Sequence, residues 1–213
     1  MDRRERVREI IKILSKEFPD ADTELKHNNP LELLIATILS AQCTDERVNK
    51  ITENLFKKYK TVEDYANVDI NKFENEIKST GFYKNKARNI KRCCQMIIEK
   101  FNGKIPKTMD ELLTLPGVAR KTANIVLGHG YGIVEGIAVD THVMRLAQRL
   151  GLTKEKDRNR IERDLMEVTP KRYWILLSDI LILHGRKTCN ARNPKCDKCS
   201  LNSICPSAFK FDR

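Results

Sequence analysis

Apolar residues recur at three- and four-residue intervals almost from end to end of this 213-residue chain, and strand-like alternation is nearly absent. That pattern predicts an all-α fold with short connections. Val7, Ile10, Ile11 and Leu14 mark a first amphipathic helix. Pro30 suits the first turn of a second, whose apolar body is Leu31, Leu33, Leu34, Ile35, Ile38 and Leu39. Thr44 is placed to cap a third helix carrying Val48, Ile51, Leu55 and Phe56, and Thr61 to cap a short fourth. Phe73 and Ile77 fall in a short helix ending near Gly81, and the basic stretch beyond it reads as a longer one. Thr108 and Glu111 have capping-box spacing, and their helix should stop at Leu115, ahead of Pro116 and Gly117. The next helix starts at about Ala119 and ends in the glycines Gly128, Gly130 and Gly132. Asp140 is a good N-cap for a helix through Val143, Leu146 and Leu150. Two more follow, the last opening at Thr169 and Pro170 and ending near Gly185. Neither a solenoid repeat nor a low-complexity linker interrupts the series, so composition draws no domain boundary.

A hydrophobic share of 40% suffices for a buried core. Forty Lys and Arg against 29 Asp and Glu leave a formal charge of +11, which favours a polyanionic partner such as nucleic acid. The excess is local. Lys84, Lys86, Arg88, Lys91, Arg92, Lys100 and Lys104 face one acid, Glu99, and the last 28 residues set Arg186, Lys187, Arg192, Lys195, Lys198, Lys210 and Arg213 against Asp197 and Asp212. Both stretches look like phosphate-tracking surfaces. No apolar run is long enough to span a membrane and no apolar signal peptide opens the chain, so a cytoplasmic or nucleoid-associated protein is expected.

Cys189, Cys196, Cys199 and Cys205 are separated by six, two and five residues. Disulfides, zinc and an iron–sulfur cluster can each hold four neighbouring sulfurs. A reducing compartment disfavours disulfides. Zinc usually takes two close pairs of ligands, whereas here one pair is flanked by two outlying cysteines, which favours a four-iron cube over zinc. Cys43, Cys93 and Cys94 lack ligand spacing and read as small, partly buried side chains.

Leu115, Pro116, Gly117, Val118 and Ala119 predict a tight turn between two helices, followed by Arg120, Lys121 and Thr122. Such a turn is either an ordinary helical hairpin or one whose backbone amides converge on an anion, gripping a phosphodiester irrespective of base sequence. The segment LPGVARKTA from Leu115 to Ala123, the segment VDTHV from Val139 to Val143 and the spaced cysteines together are similar to the helix-hairpin-helix DNA glycosylases. Ser40-Ala41-Gln42, Gly81-Phe82-Tyr83 and Lys86-Ala87 also match, so the resemblance covers nearly the whole chain in one order.

The resemblance implies two helical domains with the active-site cleft between them, a helix-hairpin-helix motif and a C-terminal iron–sulfur loop. The barrel domain would cover residues 24–135, with the hairpin at about 108–128; residues 1–23 and 136–213 would form a discontinuous domain ending in a [4Fe-4S] loop at 189–205. Lys121 would be the nucleophile and Asp140 the partner carboxylate of a glycosylase and abasic-site lyase that removes oxidised pyrimidines from duplex DNA. Lys121 would need a pKa depressed by desolvation or by Arg120. Gln42 and Phe82 would fill the space left by an extruded nucleotide, with Tyr83 and Lys84 beside them. Leu115, Gly117, Val118, Ala119, Arg120 and Thr122 would hold phosphate, His142 would contact phosphate or pack against the hairpin, and Arg192 and Lys195 would present cations from a cysteine loop. The partner would be double-stranded DNA carrying damaged bases or abasic sites, and the protein a monomer. Ala119 stands where many relatives carry Gly, and would weaken binding only if the position required a positive φ. A related adenine glycosylase would need a catalytic Glu ahead of Gln42, where Ala36, Thr37, Ile38 and Leu39 stand. A mismatch-specific thymine or uracil glycosylase of the same fold and a non-catalytic DNA-binding module are the competing readings. Lys121 argues against the first, and strong, salt-sensitive binding without strand cleavage would mark the second.

Overall fold

The structure, a computed structural model, describes residues 1–210; Asp212 and Arg213 of the C-terminal charged stretch lie outside the described residues. Helices and turns account for all regular structure among the described residues. The chain divides into two compact units, one of residues 23–133 and the other of residues 1–22 with 134–213.

The central unit holds α2 (Pro30–Leu39), α3 (Asp45–Lys58), α4 (Val62–Ala66), α5 (Ile70–Glu76), α6 (Tyr83–Phe101), α7 (Met109–Leu113) and α8 (Arg120–Tyr131). Helix α2 is buried on nearly every side, as its apolar run, interrupted by Glu32 and Thr37, requires, and packs against α8, α3 and α6. Pro30 sits in its first turn behind the Asn29 cap. Tyr59, Tyr65 and Phe73 stack where α4 and α5 meet α6, with the Tyr59 and Tyr65 rings 5.3 Å apart.

The second unit holds α1 (Arg3–Glu17), α9 (Thr141–Arg149), α10 (Arg158–Val168) and α11 (Trp174–Lys187). Its core joins Val7, Ile10 and Leu14 of α1 to Leu146 of α9, Ile161 and Leu165 of α10, and Leu177, Ile180 and Leu181 of α11. Leu201, from the cysteine loop, is fully buried in the same core. One leucine thus anchors a loop otherwise poor in apolar residues.

Most boundaries fall where the pattern put them. Helix α7 ends at Leu113, two residues early, because Leu115 belongs to the following turn. Thr108 accepts the Glu111 amide, but its hydroxyl also donates to the Glu111 carboxylate at 2.8 Å, so the reciprocal bond to the cap amide is replaced. Pro170 opens a 3-10 turn at Lys171–Tyr173, and α11 starts only at Trp174. Thr169, extended as a residue before proline must be, accepts the Trp174 indole N–H at 2.8 Å.

The basic stretch on α6 is not uniformly a surface. Lys86 is buried and Lys91 donates to the Val68 carbonyl at 2.7 Å, which leaves Lys84, Arg88, Arg92, Lys100 and Lys104 exposed. Cys93 and Cys94 are fully buried in the same helix, and burial pushes the Cys93 thiol up to about 12.

Candidate functional site

Leu115 to Val118 form a β-turn closed by the Val118 amide donating to the Leu115 carbonyl at 3.1 Å. Pro116 occupies its second position and Gly117, with φ 79°, its third, the arrangement of a type II turn. Helix α8 begins directly afterwards, and Ala119 at its N-cap offers no side-chain acceptor to the first-turn amides. A helix start of this kind suits an anion, which completes what a capping Ser or Asp would otherwise supply. Leu115, Val118 and Thr122 have buried side chains, so only their backbone can serve a ligand, and the Val118 amide already closes the turn. Gly117 is exposed, Arg120 and Lys121 are half-buried, and Lys121 lies in the first turn of α8.

Gln42 and Phe82 both stand exposed, each in a left-handed conformation rarely adopted by residues other than glycine, with φ 54° and φ 48°. Phe82 is 65% exposed and precedes α6 without a side-chain cap; Tyr83, half-buried, and Lys84, exposed, are the helix's first two residues.

Asp140, half-buried, caps α9: its Oδ1 accepts the Val143 amide at 2.8 Å. His142 packs against α11, where a β-carbon added to Gly185 would meet its Cβ and Nδ1 at 3.1 Å. The ring Nδ1 lies 3.1 Å from the Arg145 guanidinium, and burial draws the imidazole below its usual pKa, with Asp140 opposing and Arg145 and Arg186 adding to the effect.

The four spaced cysteines converge on one pocket, lined also by Leu146, Leu150, Leu201 and Ala208 and by the polar side chains of Arg149, His184 and Asn202. None of them is paired as a disulfide. Arg149 donates to Cys189 Sγ at 3.3 Å and to the Asn190 and Ala191 carbonyls at 2.7 and 3.0 Å, and His184 Nε2 lies 3.4 Å from Cys199 Sγ. Burial, helped by the neighbouring cysteines, pushes the Cys199 thiol up to about 11, and burial raises Cys205 as well. Four thiolates crowded in an apolar pocket repel one another, so they ionise together only around a cationic centre, and the donor set fits a metal cluster. Arg192 and Lys195 are exposed on the stretch between the first two cysteines. That stretch is held by the Arg149 guanidinium donating to the Asn190 and Ala191 carbonyls and by the Lys195 amide donating to the Thr188 carbonyl at 3.0 Å.

Residues 35–171 match the model of the HhH-GPD superfamily of base excision DNA repair proteins. The endonuclease III of Synechocystis sp. is 54% identical over 206 residues, which cover 97% of this chain and 94% of that one. This chain belongs to the endonuclease III family of the HhH-GPD superfamily. The endonuclease III of Bacillus subtilis is 48% identical, over 92% of this chain and 90% of its own. Among solved structures, a non-covalent endonuclease III–DNA complex and a trapped endonuclease III–DNA covalent intermediate each superpose with a TM-score of 0.94 at 46% identity, covering 99% of this chain and 98% and 99% of theirs.

Ala119 has φ −94° and ψ 170°. Its backbone is extended, so the methyl group costs nothing and the turn keeps its shape. Lys121 belongs to the central unit and Asp140 to the second, each on the first turn or cap of its own helix. Sequence reasoning missed Arg145, Arg149 and His184, and took Lys86 only as one of the basic stretch and part of a matching motif. Arg145 and Arg149 stand four apart on α9, a spacing that marks a shared face but not what lies beneath it. No helix among the described residues is long and apolar enough to cross a membrane.

Proposed function

We propose that this chain is a bifunctional DNA N-glycosylase and abasic-site lyase of base excision repair, acting on oxidised pyrimidines in duplex DNA as a monomer. The observation that carries the reading is the place of Lys121, in the first turn of a helix whose uncapped start follows a Pro-Gly turn. Amides at that start hold a phosphate, and the same turn of helix then fixes the distance from Lys121 to the sugar of the held strand. A target base must leave the stack before C1′ can be reached. Gln42 offers donor and acceptor groups to the base left unpaired, and Phe82 supplies an apolar wedge.

The Lys121 amine, in its neutral form, attacks C1′; the C1′–N bond breaks and the base departs with the electron pair and a proton. The C1′–O4′ bond then opens, O4′ leaving with the electron pair and taking a proton, and the resulting Schiff base acidifies the proton on C2′, whose removal expels the 3′ phosphate and cuts the strand. Asp140, held by its cap bond to Val143, places a carboxylate to stabilise the positive charge on the sugar and to assist proton transfer. Cys189, Cys196, Cys199 and Cys205 would hold a [4Fe-4S] cluster, whose contribution when bound is a rigid clasp on the loop that presents Arg192 and Lys195 to the DNA backbone. Endonuclease III relatives at 54% identity, and a relative trapped covalently on DNA, support the reading over a mismatch-specific or purely binding role.

Borohydride reduction during turnover on thymine glycol, dihydrouracil, uracil, mismatched thymine and plain abasic DNA tests it. Wild-type protein should give a covalent adduct with the oxidised pyrimidines and the abasic site. Lys121→Ala should give none while keeping its visible cluster absorbance; an adduct that survives would remove Lys121 from the nucleophile's role.

A further inference from the structure

Lys86 is 5% exposed, on the second turn of α6, and is the one lysine among the buried polar residues of the described chain. Its Nζ donates to the carbonyl of Leu39 at 2.8 Å and to that of Thr80 at 2.8 Å. Leu39 is the last residue of α2, where carbonyls run out of partners within the helix, and Thr80 closes the 3-10 turn Lys78–Thr80. Three residues beyond Leu39 is Gln42, and two residues beyond Thr80 is Phe82. One buried ammonium therefore ties together the roots of the two segments that carry the left-handed, exposed Gln42 and Phe82.

Neither side chain earns its conformation by packing in the unit's core: Phe82 is 65% exposed and Gln42 is exposed. Left-handed backbone at such residues persists only where the surroundings over-determine it. Here they do. Thr80 Oγ1 donates to the Ile77 carbonyl at 2.8 Å, the Cys43 amide donates to Ser40 at 3.1 Å, and Arg47, on the helix after the Gln42 segment, donates to the Ser79 carbonyl at 3.4 Å. Burying an ammonium is costly, its pKa is drawn down by that burial, and the residues whose carbonyls it meets, Leu39 and Thr80, are themselves 0% and 1% exposed, so the junction is closed to water. The cost is explained if what matters is the fixed relation of the two roots.

We infer that Lys86 is a positioning residue for base extrusion, setting the relation of Gln42 to Phe82 so that both enter the nucleotide stack together. It touches no substrate and acts through the Leu39 and Thr80 carbonyls. The inference rests on the glycosylase reading above. Its consequence is selective: loosening the two roots hinders opening of a paired stack and spares a substrate whose stack is already open.

The test uses the full-length, cluster-loaded protein and Lys86→Met, which keeps the length of the side chain and removes its donors. Single-turnover rates are measured on thymine glycol in a fully paired duplex and in a three-base bubble, with 2-aminopurine beside the lesion to read unstacking. Lys86→Met should lose about tenfold or more on the paired substrate, together with the 2-aminopurine rise, and no more than about threefold in the bubble. Lys86→Gln, which keeps one donor group, carries the same comparison if the Met variant does not fold, with a smaller loss and the same selectivity. Equal losses on the two substrates, or no loss on the paired one, would overturn the inference and leave the glycosylase reading standing. A wild-type protein inert on both substrates would instead overturn the glycosylase reading, and this inference with it.

Discussion

Gly117 lies over Asn89 of α6 so closely that a β-carbon on the glycine would stand 3.0 Å from the Asn89 β-carbon and 3.3 Å from its Nδ2. With φ 79°, the position also excludes ordinary side chains on backbone grounds alone. Gly117→Ala should therefore lower stability by about 1–3 kcal/mol and tilt the turn away from its anion. Duplex affinity should fall about tenfold, and the salt dependence of binding should flatten by about one phosphate contact. Salt titrations of binding to undamaged duplex, alongside thermal melts, read both effects; an unchanged salt slope would remove the turn from the phosphate-binding surface.

Asp140 does two jobs that can be separated chemically. As a cap it needs only an oxygen, and Asn caps as well as Asp, so Asp140→Asn should melt within a few tenths of a kcal/mol of wild type, whereas Asp140→Ala should lose about 1 kcal/mol. As a carboxylate it needs its charge, so both variants should lose roughly 100-fold or more in single-turnover glycosylase rate. Full activity in the Asn variant would leave Asp140 with the cap alone.

Tyr65 is fully buried against Tyr59 and Phe73, and its hydroxyl has no hydrogen-bond partner among the described residues. Burial pushes its pKa well above the usual tyrosine range. The folded state then holds the phenol neutral while the unfolded chain ionises, so this contribution to stability is intact below a pH of about 10 and is lost as pH rises beyond it. Tyr65→Phe should be neutral or more stable by up to about 1 kcal/mol near neutrality, and its stability should fall less steeply at alkaline pH. Denaturant midpoints across that range measure both; a marked loss at neutral pH would mean that the hydroxyl is bonded.

The helices were legible because period and caps are local. Val7, Ile10, Ile11 and Leu14 bury together on α1, and Thr44, Thr61 and Asp140 cap the helices they were expected to cap. Where the pattern slipped, a contact from a few residues away decided, as when the Trp174 indole bound Thr169 and delayed the start of α11. The Pro116-Gly117 turn was equally readable, since proline and glycine restrict backbone angles whatever surrounds them. Lys86 was not: in sequence it is one cation among seven, and only the fold turns it inward, between two chain ends that lie 41 residues apart.

By itself, then, the sequence determined what depends on neighbours along the chain: the all-helical architecture, the turn ahead of Lys121, the cap at Asp140 and the spacing of four cysteines. Tertiary structure decided which charges face outward, that Arg149 and His184 approach the sulfurs, and that Leu201 anchors the cysteine loop in a hydrophobic core. It also decided that one buried lysine joins the roots of Gln42 and Phe82. The physical reason is the same throughout. Periodicity and backbone restriction act within one or two turns of helix, whereas burial of a charge, and the carbonyls that must then satisfy it, exist only after distant segments have been packed together.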